Sequence, residues 1–397
     1  MKRYDSYKDS GVEWIGEVPS HWEVLPLKFK SDIIMGQSPD GKDIVPFGKT
    51  LFMQGNADFN NYYPTPNMYC DSCSKYSRIN DILMSVRAPV GELNFSDKIY
   101  GIGRGLCSIK GVDVYQKYLW YYLQMTKDIY KYFETGSTFT AITISVIKNL
   151  KLIDPSKEEQ HKIAYYLDTK CGEVDKVIST QEKRIALLQE LKQSIITHAV
   201  TKGLNPDVKM KDSGIDWIGE VPEHWVCAPF KRFMNIKNGQ DYKSFQSDDG
   251  YPVIGSGGCF AYCTRFIYDG ESLLLGRKGT IDKPLYVNGK FWTVDTMFYS
   301  IPQKNCSVRY MYYQSLTIPF ERYYTSTALP SMTQTDLGLN NFCFPPIPEQ
   351  QEIASYLDKR CAQIDASISK AQKEIELLQE YKQSLITEVV TGKRKVC

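Results

Sequence analysis

The sequence predicts an α+β chain in which two mostly-β domains with some helices are separated by two long coiled-coil helices, a pseudo-two-fold molecule if those helices pack antiparallel. Three observations carry this expectation: an internal duplication, a pair of heptad-striped segments, and short strand-like stretches broken by turns.

The duplication comes first because it constrains architecture more than any local propensity. The stretch Lys8 to Lys28, KDSGVEWIGEVPSHWEVLPLK, returns from Lys211 to Lys231 as KDSGIDWIGEVPEHWVCAPFK, a shift of 203 with 14 of 21 positions identical. A second pair, Glu159 to Gly203 and Glu349 to Lys393, matches at 24 of 45 positions with a shift of 190. Between the paired segments the sequence diverges, so the plan is a variable domain, a helix, a second variable domain and a second helix.

In the first helical segment Leu167, Cys171, Val174, Ile178, Gln181, Ile185, Leu188, Lys192, Ile195 and Ala199 follow steps of four and three. The second copy holds Leu357, Cys361, Ile364, Ile368, Ala371, Ile375, Leu378, Lys382, Leu385 and Val389 in the same register. Both are heptad seams, and each needs a partner. Ser156 with Glu159 has capping-box spacing, Pro345, Pro346 and Pro348 precede the second helix, and Gly203 with Pro206 marks the first stop. A helix of about 43 residues spans roughly 65 Å, which makes it a spacer. The domain limits expected are 1–155, 156–205 for the first spacer, 206–346, and 347–397 for the second.

Within the variable domains, stretches such as NDILMSVRAPVGELNF and ESLLLGRKGTIDKPLYV read as short strands with turns. The aromatic run Val114 to Phe133, answered by Val308 to Leu316, reads as helix whose tyrosines pack in a core or an interface rather than serve as platforms for bases.

Composition narrows the function classes. With 397 residues, 42% hydrophobic and 24% charged, the chain is long enough for several cores. A net charge of only +2 means that any nucleic-acid-facing charge is local. Neither an apolar segment after Met1-Lys2-Arg3 nor a membrane-length apolar run is visible, so the cytoplasm is the expected location. The eleven cysteines are expected to be reduced and mostly buried, and the C-x-x-C of Cys70 and Cys73 lacks the second pair a zinc site needs. No metal or cofactor is expected.

Catalytic motifs are absent or broken. Asp43 to Thr50 mimics a phosphate-binding loop but carries Asp43 at the first glycine position and Pro46 and Phe47 within it. Glu190-x-Lys192 and Glu380-x-Lys382 resemble nuclease triplets, yet lie in the long helices, where they read as solvated charges. His161 and His198 become Gln351 and Glu388 in the second copy, while His21 and His224, beside Trp22 and Trp225, are expected to be buried packing residues.

W-I-G-x-V-P-x-H-W before each variable domain and P-x-x-E-Q-x-x-I-A-x-Y-L-D leading each long helix resemble the specificity subunits of type I restriction-modification systems, over essentially the whole chain. The resemblance implies a non-catalytic subunit whose two target recognition domains each read half of a gapped site in double-stranded DNA. It also implies partners: two methyltransferase subunits docked on the helices, and restriction subunits. No Asn-Pro-Pro-Tyr or Asp-Pro-Pro-Tyr occurs, so adenine methylation would fall to a partner. Matched positions nominate DNA contacts: Gln37 with Gln240, Arg87 with Arg277, and the Ser137-Thr138 and Ser326-Thr327 loops, to which Arg104 and Lys278 are added. Arg suits guanine or phosphate, Gln suits adenine, and Ser or Thr suits phosphate or either base. The competing expectation is an orphan coiled-coil scaffold or antirestriction-like protein with no DNA sequence preference.

Overall fold

A computed structural model describes residues 3–133, 141–323 and 330–396. The chain divides into two compact units, residues 1–181 with 373–397, and residues 182–372. Each contains a β-rich body and one half of each long helix.

In the first unit a four-stranded antiparallel sheet runs in the order Ser31–Met35, Leu106–Gly111, Ile82–Ser85, Leu93–Phe95. Ile82–Ser85 is buried along its whole length, as an interior strand should be. A three-stranded sheet places Leu51–Met53 between Met68–Tyr69 and Gly101–Ile102, the latter pair parallel. Helix α1 (Gln116–Met125) buries Tyr118, Trp120, Tyr121 and Tyr122, as the aromatic run predicts. The short α2 (Ile144–Asn149) leads to α3 (Lys157–Lys202).

The second unit repeats the plan. Its four-stranded sheet runs Met234–Asn238, Met297–Pro302, Ser272–Gly276, Leu285–Val287, and a five-stranded sheet centres on Tyr251–Gly255. Helix α4 (Val308–Ser315) buries Tyr310 and Tyr313, and α5 (Gln334–Leu339) precedes α6 (Ile347–Val390). The tyrosines are used alike in both units. Tyr118 donates to the Ile153 carbonyl and Tyr310 to that of Cys343, while Tyr121 and Tyr313 donate to Asp168 and Asp358 on the long helices.

The heptad seams are the buried stripes of α3 and α6. Leu167 and Cys171 on α3, and Leu357, Cys361 and Leu385 on α6, are buried, and Ile178, Ile185, Leu188, Ile195, Ile368, Ile375 and Leu378 are half-buried. In the first unit Asp175 pairs with Lys382 at 2.7 Å, and Gln181 donates to Glu374; in the second, Lys192 pairs with Asp365 at 2.7 Å. Partner numbers on α6 fall as those on α3 rise, in the second unit from Asp365 opposite Lys192 to Glu349 beside Gly203, so within each unit the helices run antiparallel. Lys192 and Lys382 are therefore not the freely solvated charges expected. Their stems fill seam positions and their ammonium groups reach across to a carboxylate. Such half-exposed pairs contribute little net stability; a charged residue in an apolar seam instead specifies register and orientation.

A second repeated device closes each unit. Trp22 is fully buried, and its indole donates to Glu159 Oε1 at 3.1 Å. The other oxygen of Glu159 accepts from the Ser156 amide and hydroxyl, while Ser156 Oγ accepts from the Glu159 amide, which completes the expected capping box. Gly392, with φ +75°, ends α6 against Trp22; a Cβ there would lie 2.4 Å from Pro19 and 2.9 Å from the indole. Tyr7 donates to the Gly392 carbonyl. In the second unit Trp225 donates to Glu349 at 3.1 Å, and Gly203, with φ +74°, ends α3 beside that indole.

Two further expectations are corrected. His21 and His224 are not buried: their side chains are 55% and 45% exposed, with Nε2 at 3.0 and 2.7 Å from Glu159 and Glu349. The tryptophans beside them take the interior, where an indole contributes more apolar surface. Cys227 and Cys343 form a disulfide where the first unit places Val24 opposite Ile153, because these residues face each other across adjacent antiparallel strands. Cys70, Cys73, Cys107, Cys171, Cys259, Cys263, Cys306 and Cys361 are free thiols.

Burial raises the Glu159 carboxyl, but bonds from His21, Trp22 and Ser156 outweigh this and hold it below the usual range. A depressed folded pKa contributes stability above the unfolded value and loses it as pH falls through the folded one. Glu159→Ala, which orphans the buried indole N–H, is therefore expected to cost about 1–3 kcal/mol near neutral pH. Denaturant titrations should show that gap narrowing in acid; a gap independent of pH would contradict the role given to the carboxylate.

Candidate nucleic-acid interface

In each unit several chain segments converge where the first strand of the four-stranded sheet ends. In the first unit the Gly36 and Gln37 amides donate to the Leu106 and Ile102 carbonyls, both at 2.9 Å. A Cβ at Gly36 would sit 2.1 Å from the Gly103 carbonyl oxygen, so only glycine permits this crossing. Gly105 donates to Gln54, and Val86 to Gly105. The second unit repeats this: Gly239 and Gln240 donate to Met297 and Thr293, a Cβ at Gly239 would lie 2.0 Å from the Val294 oxygen, and Arg277 donates to Thr296.

This framework establishes which residues correspond. The Leu106 and Met297 amides both close a turn onto the residue three before, Gly103 and Val294. Arg104 and Asp295 thus occupy the same corner of equivalent turns. Ser85 pairs with Leu106 as Gly276 does with Met297, which makes Val86 equivalent to Arg277 and Arg87 to Lys278. The isolated bridges agree: Arg87 pairs with Ala141 and Lys278 with Ser331. Matching Arg87 with Arg277 by sequence is therefore one residue out. In strands a single-residue offset changes which face a side chain takes. Arg277 is half-buried and donates from Nη1 to the Asp295 carbonyl at 3.3 Å, whereas Arg87 and Lys278 are exposed.

Gln37, Arg87 and Arg104 are thus brought together at one crossing of the first unit, and Gln240, Arg277 and Lys278 at that of the second. Gln37, Gln240 and Arg104 are exposed. Ser137, Thr138, Ser326 and Thr327 lie outside the described residues. Sequence reasoning missed Ser38 and Gln54, joined by a 2.7 Å hydrogen bond, and Asp295. No local signal marks them, since they come together only through non-local strand pairing.

The phosphate-loop mimic has another use. The Lys49 and Thr50 amides bind the Asp71 carboxylate, and these backbone bonds hold its pKa below the ordinary value. No group of side chains suited to a metal occurs among the described residues. No described helix is long and apolar enough to cross a membrane.

A different surface lies on the long helices. Leu187 and Leu191 of α3, and their repeat equivalents Leu377 and Tyr381 of α6, are exposed by 65%, 47%, 52% and 48%. Each pair is spaced i, i+4 and so lies on one helix face.

Comparison with known proteins accounts for the duplicated plan. The sequence pattern of the type I restriction modification DNA specificity domain matches twice, over residues 19–190 and 222–377. The type I restriction enzyme MjaX specificity subunit of Methanocaldococcus jannaschii is 37% identical over 205 residues, which span 50% of this chain and 46% of that relative. The MjaVIII specificity subunit of the same organism is 24% identical over 96% of this chain and 94% of its own. In fold, a chain from a solved structure of the type I R-M system superposes with a TM-score of 0.71 at 14% identity, covering 94% of this chain and 98% of that one. With two matched copies filling most of its length, the chain belongs to the type I restriction modification DNA specificity family and is a DNA sequence-specificity subunit.

Proposed function

We propose that the two β-rich domains, residues 1–155 and 206–346, each read one half of a bipartite, gapped site in double-stranded DNA, with residues 156–205 and 347–397 as the spacers between them. The observation that supports this most is the crossing described above: one backbone arrangement, built twice, presenting different exposed side chains. Gln37 and Gln240 are suited to adenine edges, and Arg87, Arg104, Arg277 and Lys278 to guanine or phosphate. Ser137, Thr138, Ser326 and Thr327 add hydroxyls for phosphate or base. Phosphate contacts supply salt-dependent affinity, and base edges supply the choice of sequence.

The chain itself is non-catalytic and acts in the cytoplasm, aiming methyltransferase and restriction subunits at the site. Mapping methylated bases in the host genome with and without this chain tests the reading. Loss of one asymmetric, gapped motif is expected; no change would favour the orphan scaffold.

Two methyltransferase subunits bind, one at each exposed pair on the helices, because the repeat supplies the same apolar feature twice. Native mass spectrometry of the complex should show one methyltransferase subunit lost on Leu187→Asp with Leu191→Asp, and one lost on Leu377→Asp with Tyr381→Asp. Retention of both in each variant would place docking elsewhere.

A further inference from the structure

The two domains share a framework at the crossing, so whatever makes them read different words must lie where that framework is the same and the exposed chemistry differs. Arg104 and Asp295 meet this condition most sharply. They occupy the same position of equivalent turns, both are exposed, and their charges are opposite. Among the described residues neither side chain makes an ion pair or a hydrogen bond, so neither charge is committed to holding the fold.

A second substitution at the same place points the same way. Met53 pairs with Ile102 as Ile254 does with Thr293, so Gln54 is equivalent to Gly255. In the first domain the Gln54 carboxamide folds over the crossing to Ser38. In the second, the side-chain position left empty at Gly255 is covered by the Phe260 ring, 3.2 Å from where a Cβ would be and 57% exposed. One edge thus offers an amide and a guanidinium, the other an aromatic ring and a carboxylate.

Chemistry assigns these groups different bases. A carboxylate only accepts hydrogen bonds and is repelled by phosphate, so at a DNA-facing edge its favourable partner is an exocyclic amine; a guanidinium only donates and takes the O6 and N7 acceptors of guanine. We infer that Asp295 is a specificity-determining residue of the second domain, accepting from the N4 amine of a cytosine in its half-site. Arg104 reads a guanine at the equivalent place in the first. This rests on the reading that each domain grips one half-site.

The test is methylated-base mapping in host cells carrying the full complex with Asp295→Ala, Asp295→Asn or Arg104→Ala. A mismatched base pair in a specific site typically costs about 1–3 kcal/mol, so selectivity should fall roughly 5- to 150-fold at one position. Asp295→Ala is expected to relax one cytosine of one half-site, leaving the other half-site and the gap unchanged, and Arg104→Ala to relax one guanine of the other. A motif unchanged at every position in Asp295→Ala, or methylation lowered evenly without relaxation, overturns the assignment while leaving the half-site reading intact. If Asp295→Asn relaxes no position that Asp295→Ala does, the carboxylate charge is not what reads the base, and the assignment fails. If no gapped motif depends on the wild-type chain, the underlying reading fails instead.

Discussion

Everything in this chain depends on one constraint: neither long helix can bury its apolar seam alone. Leu167 and Cys171 at one end of α3, and Leu357 and Cys361 at the start of α6, are buried only because the other helix and a β-rich body cover them. Fully burying such a side chain stabilises by about 1.5–3 kcal/mol, far more than a half-exposed ion pair. Burial thus supplies the stability. The Lys382–Asp175 and Lys192–Asp365 pairs decide which of the possible registers is taken.

The same constraint explains why the compact units do not follow the order of the sequence. The first unit takes residues 373–397 from the far end of the chain. Val389 and Val390 enter its core, and Gly392 closes on Trp22. The second unit is built alike, with Gly203 and Trp225 in those places. A glutamate in the first turn of each long helix, Glu159 or Glu349, joins the indole of the preceding W-I-G-x-V-P-x-H-W motif to the helix start. The motif that marks the family by sequence is therefore the lock that joins helix to domain.

Much of this was legible in the sequence, because the duplication, the heptad stripe, the Ser156–Glu159 cap and the aromatic helices are local patterns with a fixed period or spacing. What escaped depends on pairings between distant segments. Lys192 is one of ten seam positions by periodicity, but nothing local names Asp365 as its partner. The Cys227–Cys343 disulfide needs the strand register, as does the equivalence of Arg87 with Lys278. Likewise Arg104 and Asp295 sit in segments with no alignable sequence, and only the turn that both occupy makes them counterparts. A histidine beside a buried tryptophan is expected to share its environment, but neighbours in a chain can face opposite ways, and His21 and His224 turn outward.

The measurement that bears most directly on the account is the gap of the methylated motif after matched seven-residue heptad insertions in both helices, after Gln181 and after Gln372. Seven helical residues add roughly 10 Å, about three base pairs of duplex. Both half-sites are expected to stay unchanged and the gap to lengthen by about three base pairs. An unaltered gap, or a changed half-site, would contradict it.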